Sequence, residues 1–122
     1  MSTSTIEVER DDGTVTKYRR HANGRGFVAI EAEVHPTALV SRGAYIEPGA
    51  RVGVGVQVYE GAWIEEGADV DAFAVVGAGA RVGQYASVGH NARIGSRATV
   101  APGAAVRPAQ TVRRDTRFGV RR

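Results

Sequence analysis

Every sixth residue from Val28 to Val112 is β-branched, and no other feature of the chain restricts its possible folds as tightly. The column reads Val28, Val34, Val40, Ile46, Val52, Val58, Ile64, Val70, Val76, Val82, Val88, Ile94, Val100, Val106 and Val112, with no exception. Four residues after each, alanine fills twelve of the fourteen positions from Ala32 to Gln110; Val56 and Gln110 are the departures. A fixed short period of this kind points to stacked repeats. Residues two apart in a strand share a face, so each β-branched residue and the alanine two before it point inwards together. Glycine concentrates three places after the β-branched residue, at Gly43, Gly49, Gly55, Gly61, Gly67, Gly79 and Gly103. A corner there needs a backbone angle that a Cβ penalises.

Each hexad therefore reads as a short strand plus a corner, and three hexads close a triangular coil. Residues 28–112 make nearly five coils, a length of ~22 Å at ~4.8 Å per layer. Val, Ile and Ala fill the interior and leave no bore for a ligand. Each buried β-branched side chain contributes roughly 1.5–3 kcal/mol, so the column alone is a credible core. Thr5 to Glu9 and Thr14 to Tyr18 flank Asp11-Asp12-Gly13, which reads as a β-hairpin. Asn23-Gly24 supplies a further turn. Stacked sheets expose edges at both ends, and the hairpin is read as the N-terminal cap. The chain divides into a cap at 1–27, the coil at 28–112 and a basic tail at 113–122.

The 122 residues include no cysteine, so disulfides and thiolate metal sites are excluded. No apolar run approaches a membrane span, and Met1 to Arg10 lacks the shape of a signal peptide. The expected setting is the cytoplasm, or a virion into which the protein is assembled. The net charge of +3 is unevenly spread. Residues 1–33 carry six acids and five bases, residues 34–112 six of each, and residues 113–122 five arginines against Asp115. The excess therefore sits in the tail, at Arg113, Arg114, Arg117, Arg121 and Arg122.

The hexad pattern resembles the hexapeptide-repeat superfamily of left-handed parallel β-helices, all-β proteins, over residues 28–112. The resemblance spans acyltransferases, carbonic-anhydrase-like proteins and purely structural members, and it implies homotrimers packed along one prism edge. In the enzymes it implies a catalytic histidine, usually near a loop that interrupts the coils. Here the hexads run without insertion. His90 is the one candidate base, and the bland reading makes it a solvated corner residue. The carbonic-anhydrase-like members hold zinc with three histidines from two subunits. His35 and His90 lie three coils and one residue apart, ~14 Å along the axis, whereas Zn–N bonds are about 2 Å. His21 lies outside the coil. Glu60, Glu65, Glu66, Asp69 and Asp71 map to outward or corner positions and read as solvated charge. The residues imply no metal, no cofactor and no phosphate-binding loop.

Residues eighteen apart stack, so the outward positions sort into three faces. On the first, Phe27, Tyr45, Trp63 and Arg81 precede the inward residues, forming an aromatic row with Arg81 placed to stack on Trp63. The second carries Glu33, Arg51, Asp69 and Ser87, alternating in charge as a solvent-facing ladder does. The third has Leu39, Gln57, Val75 and Arg93. Trp, Tyr and Arg anchor interfaces, so the aromatic row is the expected interface unless the N-terminal hairpin covers it. The arginine tail can meet nucleic-acid phosphates or an acidic protein surface, but it has too few aromatics for base stacking. The function expected from these features is a non-enzymatic homotrimeric module docked onto a larger assembly, in its most specific form a capsid decoration protein. Two alternatives stand beside it: a reduced acyltransferase using acyl-CoA, with His90 as base, and a metal-free relative of the γ-class carbonic anhydrases.

Overall fold

In the computed structural model, which describes residues 5–120, the hexads form a left-handed parallel β-helix without any α-helix. From Glu33 onward each hexad contributes one two-residue strand, made of the outward residue and the β-branched residue after it. Strands eighteen residues apart pair in parallel, Val70 with Val52 and Val88, Val82 with Ile64 and Val100. The result is one sheet on each prism face: an eight-stranded sheet on the first and five-stranded sheets on the second and third. Both inward columns are buried except near the ends, where Val34, Ala104 and Gln110 are half-buried. Val58, Val70, Val76 and the column alanines Ala38, Ala44, Ala50, Ala62, Ala68, Ala74, Ala80, Ala92 and Ala98 are wholly inaccessible, and Ala86 is nearly so.

The hairpin forms as its residues dictate. β1 (Thr5–Glu9) and β2 (Val15–Arg20) pair antiparallel around Gly13, whose φ is 88°. Asp12 accepts from the Thr14 amide at 3.0 Å and hydroxyl at 2.6 Å, and these bonds hold its carboxyl below the usual range. β2 then pairs antiparallel with β3 (Phe27–Ala29), so the hairpin extends the first face edge-on. The following turn closes the third face at the same end. His21 Nε2 donates to the Ala38 carbonyl at 2.8 Å, and Asn23 accepts from the Val40 amide at 3.0 Å.

At the other end the ladder runs past Val112. Arg117–Phe118 pairs in parallel with Thr99–Val100, and Phe118 takes the inward position, half-buried. Asp115 holds the preceding corner with φ 61° and is paired with Arg97 at 2.7 Å. That ion pair depresses the Asp115 carboxyl below its ordinary value. Arg113, Arg114 and Arg117 therefore stand on a further partial coil. Arg121 and Arg122 lie outside the described residues.

Candidate functional site

Three histidines were in question, and their ring nitrogens separate them. His21 spends Nε2–H on the Ala38 carbonyl, a structural contact. At His35, Nδ1 accepts from the Thr37 amide at 3.2 Å, which ties the ring into a turn. His90 is exposed at the corner after the second face, and its Nδ1 faces the Asn91 side-chain oxygen at 3.2 Å. A carbonyl oxygen only accepts, so Nδ1 is the donor of this pair, and in the neutral ring that leaves Nε2 as the acceptor. A general base needs that tautomer. Asn91 holds φ 61°, in the left-handed region, and its amide donates to the Ala72 carbonyl of the coil before it at 2.9 Å. The partner that orients the ring is thus fixed by the coil.

A groove of about 820 Å³ runs along the third face and the corner after it. Val75, Gly77, Ala78 and Gly95 line it with small apolar surface, and Arg93, Arg113 and Arg114 stand along its rim. The glycines are a packing requirement. A Cβ on Gly77 would lie 2.7 Å from the Ser96 amide nitrogen, and one on Gly95 would lie 2.4 Å from that of Arg114. His90 stands at one edge of the third face and the groove occupies that face and its opposite edge. They do not meet within one chain's lining residues.

The first face holds a polar centre that the one-dimensional pattern does not reveal. Glu47, one place after the inward Ile46, is buried. Its carboxylate accepts from the Tyr18 hydroxyl at 2.5 Å and the Trp63 indole N–H at 2.6 Å, with an Arg10 guanidinium nitrogen at 3.8 Å. Burial first, then the Glu47 carboxylate, drives the Tyr18 hydroxyl's pKa upward. One coil on, Glu65 is paired with Arg81. Glu65 was expected to be solvated; it is buried instead, because the Arg81 side chain folds back over it. Glu66 is half-buried, while Glu60, Asp69 and Asp71 are exposed.

The expected stack of Arg81 on Trp63 is present, with the guanidinium 4.4 Å from the ring centroid. Phe27 and Tyr45 stack at 5.0 Å, and Tyr18 from the hairpin meets Tyr45 edge-on at 5.6 Å. The hairpin thus covers the first rungs of the row, while Tyr45 and Trp63 keep about two-fifths of their surface exposed. Among the described residues, no group of three or more His, Asp or Glu is placed to hold a metal ion.

The family described as bacterial transferase hexapeptide (six repeats) matches residues 73–108, and the same register continues on both sides of that span. The chain belongs to the hexapeptide-repeat superfamily. Among solved hexapeptide-repeat structures, it is similar to a histidine-to-asparagine mutant of perosamine N-acetyltransferase from Caulobacter crescentus in complex with CoA and GDP-perosamine. Identity is 30%, over 70% of this chain and 44% of that one, with a TM-score of 0.50. It is also similar in fold to the acetyltransferase domain of PglB from Neisseria gonorrhoeae in complex with acetyl coenzyme A, at 23% identity over 70% of this chain and 53% of that one, TM-score 0.53. The chain spans about half the length of these two, or less. Among curated protein sequences, none matches it. The likeness at 30% identity overturns the expectation of a non-enzymatic capsid decoration module, since that structure is an N-acetyltransferase in complex with CoA.

Proposed function

We propose that this chain is the β-helical module of an acyltransferase that takes its acyl group from acyl-CoA, with His90 as the general base. The observation that carries the proposal is the 30% identity, across 70% of the chain, to an N-acetyltransferase solved with CoA. The groove suits the donor's chemistry. Its small apolar floor accepts a long flexible arm, and the three arginines on its rim are free to pair with phosphate oxygens in bidentate fashion. The His90 tautomer suits the acceptor step. Nε2 takes the proton from an acceptor hydroxyl or amine as that group attacks the thioester carbonyl. The resulting imidazolium, stabilised by the Asn91 oxygen, returns the proton to the departing CoA sulfur.

The groove and His90 lie at opposite edges of one face, so a second copy is needed to bring them together, and the homotrimer that the superfamily resemblance implies is the assembly proposed for it. In such a trimer the His90 edge of one copy would meet the groove of the next. The experiment is release of free CoA thiol from acetyl-CoA in the presence of hydroxyl and amine acceptors, with His90→Ala beside the parent. His90→Ala should keep the fold and acetyl-CoA affinity while losing about 10²–10⁴-fold in rate, the usual contribution of a positioned base. A variant as active as the parent would remove His90 from the reaction.

A further inference from the structure

The outward residues of the first face form a ladder of planar groups, and one step of it is open. The Arg20 guanidinium lies 4.6 Å over the Phe27 ring, and Phe27 and Tyr45 stack at 5.0 Å. Further along, the Arg81 guanidinium lies 4.4 Å over the Trp63 ring. Tyr45 and Trp63 are direct partners in the parallel register, yet among the described residues no ring contact joins them. Tyr45 is stacked towards the coil before it, and Trp63 is covered from the coil after it. Tyr18 adds only an edge-on contact to Tyr45. Both rings keep about two-fifths of their surface exposed, on the sides that their ladder neighbours leave open.

The open step belongs to a groove. Tyr45 and Trp63 both line a cavity of about 680 Å³ beneath the hairpin, with Val8 on the hairpin side and Ala62 on the coil. That volume is in the range of small-molecule sites, which are mostly apolar with a few polar groups. Two of the carboxylates in the lining are already satisfied. Glu47 accepts from Tyr18 and Trp63 beside Arg10, and Glu65 is paired with Arg81. Glu66 also lines the groove and has no ion-pair partner among the described residues. Arg10 and Arg81 against Glu47, Glu65 and Glu66 leave the lining with one net negative charge.

We infer that this groove binds a planar aromatic molecule, uncharged or cationic, by insertion between Tyr45 and Trp63. A third ring gains stacking contact from both of them, which an aliphatic group of equal area does not. The satisfied carboxylates ask nothing of the ligand, so aromatic area supplies most of the affinity. A positive charge is attracted by Glu66 and a negative one is repelled. The site shares no lining residue with the third-face groove and stands whether or not that groove takes acyl-CoA.

The chain has one tryptophan, so a single indole N–H resonance reports from the wall of the groove. The full chain is titrated with tryptamine, tryptophol and indole-3-acetate, which share a ring system and differ in charge. Tryptamine should shift the Trp63 resonance saturably and bind ~2–5-fold tighter than tryptophol, the worth of one exposed charge pair. Indole-3-acetate should bind weakest, and high salt should draw the three together. Glu66→Gln should remove the preference for tryptamine over tryptophol. Tyr45→Leu places an aliphatic residue at an outward strand position, as Leu39 does on the third face. It should keep the dispersed amide spectrum of the fold and weaken tryptamine about fivefold or more, as the loss of one stacking surface implies. No saturable shift with any of the three, or tryptamine affinity unchanged in Tyr45→Leu, overturns the proposal. So does a Trp63 resonance that moves with protein concentration alone, because a second copy then fills the groove. Equal affinity for tryptamine and indole-3-acetate at low salt overturns the role given to Glu66.

Discussion

Gly103 and Gly77 occupy different places in the hexad, three and one after the β-branched residue, and are required for different reasons. Gly103 has φ 73° and open space where its side chain would be, so only the backbone angle selects glycine. Gly77 has an ordinary angle but no room, because the next coil's backbone passes within 2.7–2.9 Å of a would-be Cβ. Gly103→Ala should cost about 1 kcal/mol, the left-handed penalty alone. Gly77→Ala should cost more, about 2–3 kcal/mol, because a backbone-to-backbone clash cannot relax by rotating a side chain. Urea midpoints of the two variants check this, and the reverse order would show that corner packing has been misread. The angle class was readable in the sequence from its position three after the β-branched column. The space class was not, because it depends on how closely one coil passes the next. The position three after the β-branched residue carries the left-handed angle at Phe73, Tyr85 and Arg97 as well, so the place in the hexad and not the residue type sets it.

At the scale of elements, the hairpin and the coil are held together through Glu47. The turn itself was readable in Asp11-Asp12-Gly13, and the strands fall close to where alternation put them. The buried carboxylate was not readable. Ala29, opposite Tyr18 in the register, is small; the Tyr18 side chain passes over it and its hydroxyl reaches Glu47 in the next coil. Tyr18→Phe deletes one of the bonds to that buried carboxylate and should lower stability by about 1–3 kcal/mol. The linkage has a definite sign. The Tyr18 pKa is raised in the fold above its ordinary 10.0, so the neutral hydroxyl's contribution is complete below pH 10 and declines as pH rises beyond it. The stability gap between the parent and Tyr18→Phe should therefore shrink above about pH 10. Denaturant melts across that range decide the matter, and a gap that stays constant into strong alkali would mean that the hydroxyl does not anchor the hairpin.

For the whole molecule, nearly all of the architecture was readable because one period governs it: the β-branched column repeats in register for nearly five coils, with a left-handed corner three places after most of its members, and the ladder continues to Phe118. The candidate site was only partly readable. His90 could be singled out, since it is one of two histidines in the coil, but its tautomer depends on where Asn91 points. The groove went unseen because its floor is made of glycines and alanine that serve the coil equally well, and its rim draws on Arg113 and Arg114, which read as tail. The central claim is that this groove receives acyl-CoA, and thermal denaturation of the full chain with and without acetyl-CoA tests it most directly. At a concentration a hundredfold above its dissociation constant the ligand should stabilise the fold by about 2.7 kcal/mol. That appears as a melting temperature raised by several degrees, preserved in His90→Ala and reduced when Arg113 and Arg114 are both changed to alanine. A melting temperature that does not move with acetyl-CoA at any attainable concentration would contradict the account.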